Sequence, residues 1–297
     1  MLRRIAVTLS LALALGCSDD PASTAPPADA STADVTPDVA DASVTDAPGV
    51  VDAPSDDPCD LPITAPPPSL TLDPFYVKYL DASGIPIVSS RVASDPALRA
   101  ACRIVRAMVS ARDDVYQAIL RNRGRVGVMA RTEMTTDIPE HAFLASDPMV
   151  DWNMRARGLG ATLERPLTTC AEENLLCEEV DRYRGANILV HEFAHAMMNL
   201  GIGTADPAFV GRVREAYRDA RAAGLWDDTY AGSNMDEYWA EGVTIYFNVK
   251  LQAIPGNGIH NAVNTRAELL EYDRALHDLV AEMFPGLDAL PVCFMAR

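Results

Sequence analysis

Between Asp95 and Gly124 apolar residues return at helical spacing, with Leu98, Ala101, Cys102, Val105, Met108, Val109, Val115, Ile119 and Leu120 on one stripe. Asp95-Pro96 reads as an N-cap followed by proline at the first helical position, where its missing N–H is harmless. The stretch predicts one long amphipathic helix, or two with a break near Ser110. Val126 to Ala130 reads as a short strand. Residues 131–180 carry few periodic signals, and their proline, glycine and aspartate content predicts loops and short strands. A helical pattern resumes near Tyr183 and runs to Leu200, where Gly201 and Gly203 supply the stop. Three further helices are expected: Pro207 to Ala223, Met235 to about Lys250, and one opened by a Thr265-x-x-Glu268 capping box that continues to Phe284 before Pro285. Long helices around a small mixed sheet predict an α+β body, mainly helical, over residues 70–297.

Ahead of that body the pattern dissolves. Ser18 to Ser69 consists mostly of Asp, Ala, Pro, Ser, Thr and Val, ending in a Pro66-Pro67-Pro68 run, and it has too little apolar surface to offset the entropy of ordering it. Residues 18–69 therefore read as an extended acidic tether. Before it, Arg3 and Arg4 precede an apolar stretch from Ile5 to Leu15, long enough for a secretory signal and too short to stay in a bilayer as a spanning helix. Leu13-Ala14-Leu15-Gly16-Cys17 resembles a bacterial lipoprotein lipobox. That resemblance implies a signal peptide at 1–17, lipidation of Cys17 and a membrane anchor through the lipid. Ser18 after the cysteine leans toward the outer membrane as destination. The expected setting is the cell envelope, with a soluble secreted protein as the alternative.

The formal charge of −17 argues against nucleic acid as a partner, since neutralising phosphates needs a basic surface. The acidity is local, however: residues 18–60 hold 11 Asp and no Glu, Lys or Arg, and outside them and the two N-terminal arginines 31 acids face 23 bases. A lipidated Cys17 leaves Cys59, Cys102, Cys170, Cys177 and Cys293, so at least one has no partner within the chain. Cys170 and Cys177 are close enough for a short disulfide loop, and Cys59 with Cys293 would join the two ends of the body, although spacing alone leaves the pairing open.

The chemistry begins at His191-Glu192-Phe193-Ala194-His195. Residues four apart share a helix face, so both imidazoles can reach one zinc ion while Glu192 sits beside the water that ion holds. Zinc acidifies the water and polarises a carbonyl, and the carboxylate takes the proton and passes it to the leaving amine. A catalytic zinc needs a third protein ligand. The metzincin pattern is excluded, because Met198 and Gly201 stand where it requires glycine and histidine. Asp206, in Gly203-Thr204-Ala205-Asp206, matches the aspzincin GTxD motif but follows His195 closely. Glu237 and Glu241 lie four apart on the next helix but one, so one can ligate the metal and the other can hold the free nitrogen of a ligand histidine.

Taken together, HExxH followed by Tyr230, Glu237 and Glu241 in a Tyr-x6-ExxAE arrangement resembles the zincins of the anthrax lethal factor catalytic domain type, to which the Pro-Pro endopeptidases are related. The resemblance covers roughly residues 185–245. It implies His191, His195 and Glu237 as ligands of one zinc, Glu192 as general base, Tyr230 as a phenol stabilising the oxyanion, and Glu241 as a hydrogen-bonding support behind a ligand. A peptide or protein substrate follows, laid along an edge strand. That edge is expected at Val126 to Ala130 or around Arg157-Gly158-Leu159-Gly160. Trp226, Trp239 and Phe193 are expected in the core, and His141, His260 and His277 have no partner at metal spacing. The arginines of the 207–223 helix, Arg212, Arg214, Arg218 and Arg221, alternate with acids and read as a solvated face. The competing reading is a catalytically silent surface lipoprotein that uses zinc for structure or partner binding.

Overall fold

In the computed structural model, residues 57–293 are described; Cys17, the rest of residues 1–56 and residues 294–297 lie outside them. Ser83 and Gly84 both take positive φ and make the tight turn that folds β1 (Lys78–Ala82) back onto β2 (Ile85–Ser89). The chain then crosses through α1 (Asp95–Val109) and α2 (Asp113–Arg121) to β3 (Arg125–Met129), which pairs parallel with β2. After α3 (Trp152–Arg155), the two-residue β4 (Gly158–Leu159) and β5 (Leu167–Ala171) complete a mixed sheet of order β1-β2-β3-β5-β4, with β3 and β5 parallel and β4 antiparallel to β5. All five residues of β5 are buried, as expected of a strand covered on both faces.

The helical remainder comprises α4 (Glu172–Leu175), α5 (Ile188–Ala196), a π-helical turn at Met197–Ile202, α6 (Gly203–Ala205), α7 (Pro207–Ala222), α8 (Met235–Tyr246), α9 (Arg266–Tyr272) and α10 (Arg274–Met283). The architecture is thus α+β, largely helical with a small mixed sheet. The main core joins the apolar stripes of α1, α5, α8 and α10 to one sheet face, and includes Phe193, Trp226 and Trp239, each no more than 1% exposed. Tyr76, Val88, Met129, Ile138, Leu167 and Ala171 form a second, smaller cluster. Among the described residues no helix is long and apolar enough to cross a membrane.

Several expectations need correction. Residues 57–69, expected in the tether, are tied to the folded body: Cys59 is bonded to Cys102, Arg99 Nη1 donates to the carbonyls of Cys59 and Leu61 at 2.6 and 3.0 Å, and Thr64 pairs its backbone with Tyr79 of β1. These are backbone and covalent ties, which a count of apolar side chains does not register. Neither proposed disulfide forms. Cys177 pairs with Cys293, and Cys170 is a free thiol buried in β5.

Ser94, one residue earlier than expected, is the N-cap of α1, and the break between α1 and α2 falls at Ser110. The HExxH helix opens at Ile188 rather than near Tyr183, with Asn187 as its cap. Gly201 does not end it, because the chain passes through the π-helical turn and α6 as far as Asp206. The last helix is split at Asp273, whose Oδ1 caps α10 through Leu276 N while Oδ2 accepts from Trp226 Nε1 at 2.9 Å and the Tyr238 hydroxyl at 2.7 Å. One buried carboxylate serving three donors outweighs the continuity of the helical pattern.

Candidate metal centre

Two helices bring the candidate ligands together, and each is set in place at its first turn. Asn187 Oδ1 accepts from Val190 N at 2.9 Å, Asn174 Oδ1 accepts from Ile188 N at 2.8 Å, and Asn187 N donates to Val249 O at 2.9 Å, so side chains satisfy two of the first-turn N–H groups of α5. Leu189, Val190, Phe193, Ala194 and Ala196 are buried, which leaves His191, Glu192 and His195 on the half-buried side. On α8, Asn234 Oδ1 accepts from Glu237 N at 2.9 Å, placing Glu237 in the first turn. Trp239 Nε1 donates to Ala194 O at 3.1 Å and pins the two helices to each other.

Three donor atoms converge in the gap. His191 Nε2 lies 3.1 Å from Glu237 Oε2, His195 Nε2 lies 3.3 Å from that same oxygen, and the two Nε2 atoms are 3.2 Å apart. Zinc bonds of about 2.05 Å in tetrahedral array put neighbouring ligand atoms about 3.3 Å apart, so this triangle has the dimensions of three ligands with a fourth position open. Two imidazoles and a carboxylate are also a set that zinc accepts. Among the described residues this is the one group of three metal-ligating side chains whose donor atoms gather in this way.

Behind the triangle, Glu241 Oε1 is 3.2 Å from His191 Nδ1, and the other oxygen of that carboxylate is paired with the Lys250 ammonium. A carboxylate on Nδ1 fixes the tautomer that leaves Nε2 free to bind metal. Lys250 Nζ also lies 3.1 Å from His260 Nδ1, and burial, reinforced by the Lys250 charge, pushes His260 down to about 4. Burial pulls the Lys250 ammonium down too, against the attraction of Glu237. For Glu237 burial acts upward, but hydrogen bonds from His191 and His195 outweigh it and hold the carboxyl far below its ordinary range. Burial opposes protonation of His191, yet Glu237 and the charge of Glu192 more than offset it and leave the imidazole raised.

Glu192 is driven upward chiefly by burial, with the two histidines pulling the other way, which moves it toward the range useful to a general base near neutrality. Beside it runs β4, at one edge of the sheet. A Cβ at Gly158 would stand 2.5 Å from Ile188 Cγ2 and 3.2 Å from Glu192 Cγ, and one at Gly160 would stand 2.6 Å from His195 Cβ. The missing side chains let this edge lie directly against the HExxH helix. Of the two stretches expected to form an edge, Arg157 to Gly160 lies at one edge of the sheet, while Val126 to Ala130 is interior, with partners on both sides. Tyr230 also lies beside the triangle: its ring stacks on His191 with centroids 6.1 Å apart, its backbone N–H donates to Ile259 O at 2.9 Å, and burial with the nearby Glu237 and Glu192 charges keeps its phenol strongly protonated.

Thus His191, Glu192, His195, Tyr230, Glu237 and Glu241 all meet in one place. Asp206 does not. It caps α7 through Phe209 N at 3.1 Å and faces Arg112. His141 is buried against Thr169 Oγ1 at 3.1 Å, and His277 pairs with Asp278. The arginines of α7 face acids, as in the pairs Arg212–Glu282 and Arg221–Asp227. Two residues of this neighbourhood carry no signal in the sequence: Lys250, which follows the turn after α8 and is only 4% exposed, and Arg155, whose charge reaches Glu192 and Tyr230. Comparison with known proteins finds no matching family model, no matching curated protein and no matching solved structure.

Proposed function

We propose that the protein is a zinc-dependent endopeptidase of the zincin type, similar in its motifs to the anthrax lethal factor catalytic domain and the Pro-Pro endopeptidases, working from an exported lipoprotein in the cell envelope. The observation that carries this reading is the convergence of His191 Nε2, His195 Nε2 and Glu237 Oε2 at tetrahedral ligand spacing with Glu192 alongside. Zinc bound there supplies an acidified water and a Lewis acid for the scissile carbonyl. Glu192 takes the proton of the attacking water and delivers it to the leaving amine. Tyr230 offers its phenol O–H, kept protonated by its surroundings, to the oxygen that gains charge. Glu241 and Lys250 hold the His191 ring in its metal-binding tautomer. The β4 edge presents backbone groups to an extended peptide beside Glu192.

The test compares the zinc-loaded full chain with its Glu192→Ala variant on a proteome-derived peptide library, cleavage being read by mass spectrometry. Both should bind one zinc, and the variant should lose about 10²- to 10⁴-fold in turnover or more, the usual contribution of a general base. If both bind zinc and neither cuts any peptide, the peptidase reading is wrong and a zinc-stabilised binding lipoprotein takes its place.

A further inference from the structure

We propose that His260 is a positioning residue for the metal centre: from the loop at 251–262 it holds the Lys250 ammonium, and through Glu241 the ring of His191, in the orientation that binds the ion. This rests on the zinc site of the peptidase reading and names a residue that shapes it.

Four side chains connect the candidate ligand to the loop: His191 Nδ1 is 3.2 Å from Glu241 Oε1, the other oxygen of Glu241 is paired with the Lys250 ammonium, and Lys250 Nζ is 3.1 Å from His260 Nδ1. Glu241 and Lys250 are buried, and His260 is half-buried. An ammonium only donates, so the ring nitrogen facing it is the unprotonated one, which makes His260 an acceptor at Nδ1. Lysine carries its charge on a flexible four-carbon stem. Acceptors on two different elements, Glu241 of α8 and His260 of the loop, fix where that charge points. A carboxylate held at one oxygen by a fixed cation keeps its other oxygen on His191 Nδ1, which in turn leaves Nε2 for the metal.

The backbone around these residues is pinned. Asn187 N, at the cap of α5, donates to Val249 O at 2.9 Å, and Asn264 Nδ2 donates to Lys250 O at 3.4 Å. Beyond Lys250 the chain folds back on itself, with Ala253 N donating to Asn261 O at 2.9 Å and Asn257 N to His260 O at 3.1 Å. Asn257 Oδ1 accepts from the amides of Ile259 and His260 at 3.1 and 2.7 Å, across a turn in which Gly258 takes a φ of +84°. That turn sets two neighbouring residues, and each reaches the centre. His260 does so through Lys250, and Ile259 through its carbonyl, which accepts from the N–H of Tyr230, the residue stacked on His191. Ile254 and Ile259 are exposed, so apolar burial does not account for the fixed shape of this loop. Its polar ties to the centre do.

The experiment reads zinc affinity by chelator competition on the full chain and needs no substrate. His260→Phe keeps an aromatic ring and removes the acceptor, whereas His260→Asn returns an amide oxygen near the place of Nδ1. His260→Phe should weaken zinc binding about tenfold, the lower end of what losing a support behind a metal ligand costs, and His260→Asn should recover most of it. In Lys250→Met, cut nearer the ligand, binding should weaken at least as much, and His260→Phe should then add nothing. NMR of isotope-labelled histidine should show the hydrogen-bonded His191 Nδ1–H signal lost in His260→Phe and restored in His260→Asn. Zinc affinity unchanged by His260→Phe overturns the proposal. So does an equal loss in His260→Phe and His260→Asn, or full additivity with Lys250→Met; should Lys250→Met not fold, the two His260 variants decide alone. A wild type that binds zinc, shows the His260 effect and cuts no peptide sinks the peptidase and leaves the positioning role. Zinc binding and cleavage both indifferent to His260→Phe do the reverse, and a wild type that takes up no zinc overturns both.

Discussion

The single buried histidine outside the centre shows how far one residue can tie stability to pH. His141 is 4% exposed, its Nε2 sits 3.1 Å from Thr169 Oγ1, and burial pushes its imidazole down to about 4. Its ordinary value is 6.5. Between those values the unfolded chain takes up a proton that the folded chain refuses, so stability falls as pH drops through that window. The full loss amounts to about 3 kcal/mol, of which about 2 kcal/mol is felt by pH 5. Denaturant midpoints at pH 7 and pH 5 check this: His141→Gln should lose about 2 kcal/mol less than the wild type over that step, because glutamine has no proton to gain. Parallel losses in the two proteins would refute it. The same logic separates His141 from Glu241 and Lys250, whose opposite charges face each other behind His191 and serve to hold a ring in place.

At the scale of elements, the decisive contact is β4 against α5. Arg157 clamps the start of β4 to Glu173 with two hydrogen bonds, 2.7 and 3.0 Å long, and Leu159 N donates to Thr169 Oγ1 at 3.0 Å. Gly160 then passes so near His195 that any Cβ would press on the Cβ of a residue whose backbone is fixed in the helix. Gly160→Ala should therefore push the edge away, at about 1–3 kcal/mol of stability, and lower kcat/KM for extended peptides while leaving zinc stoichiometry at one. Unchanged kcat/KM would show that the edge takes no part in substrate binding. The chain offered Arg157 to Gly160 as one of two candidate edges, but its contact with α5 was not readable there. HExxH and ExxAE are legible because four-residue spacing is a local property of a helix, and α1, α2, α7 and α8 are legible because each shows a clear stripe or a cap. A two-residue strand has no period, strand order is set by long-range pairing, and Asp273 looks like any helical acid until Trp226 and Tyr238 are folded onto it. Arg155 and Lys250 were silent for that reason: their meaning lies in what the fold leaves beside them.

For the molecule as a whole, two different constraints meet near the start of α5. The Cys177–Cys293 disulfide, with a sequence separation of 116, closes a loop that contains α5 and α8, and Cys293 Sγ contacts Leu175 O, next to Asn174, whose side chain accepts from Ile188 N at the start of α5. In the chain-entropy picture such a bond acts by restricting the unfolded ensemble, so Cys177→Ser with Cys293→Ser should cost about 2–5 kcal/mol. On the proposed reading, zinc would act from the other side. Ligands drawn from α5 and α8 exist together only in the folded chain, so zinc at a hundredfold excess over its Kd should add about 2.7 kcal/mol to unfolding. If the disulfide works through the unfolded state and the metal through the folded one, the two effects are independent and add. Urea unfolding of the wild type and the serine pair, each with and without zinc, closes that square. The zinc increment should be equal in both proteins. An increment that collapses in the serine pair would mean that the bond holds Asn174, and through it α5 and His191, in the geometry the metal requires.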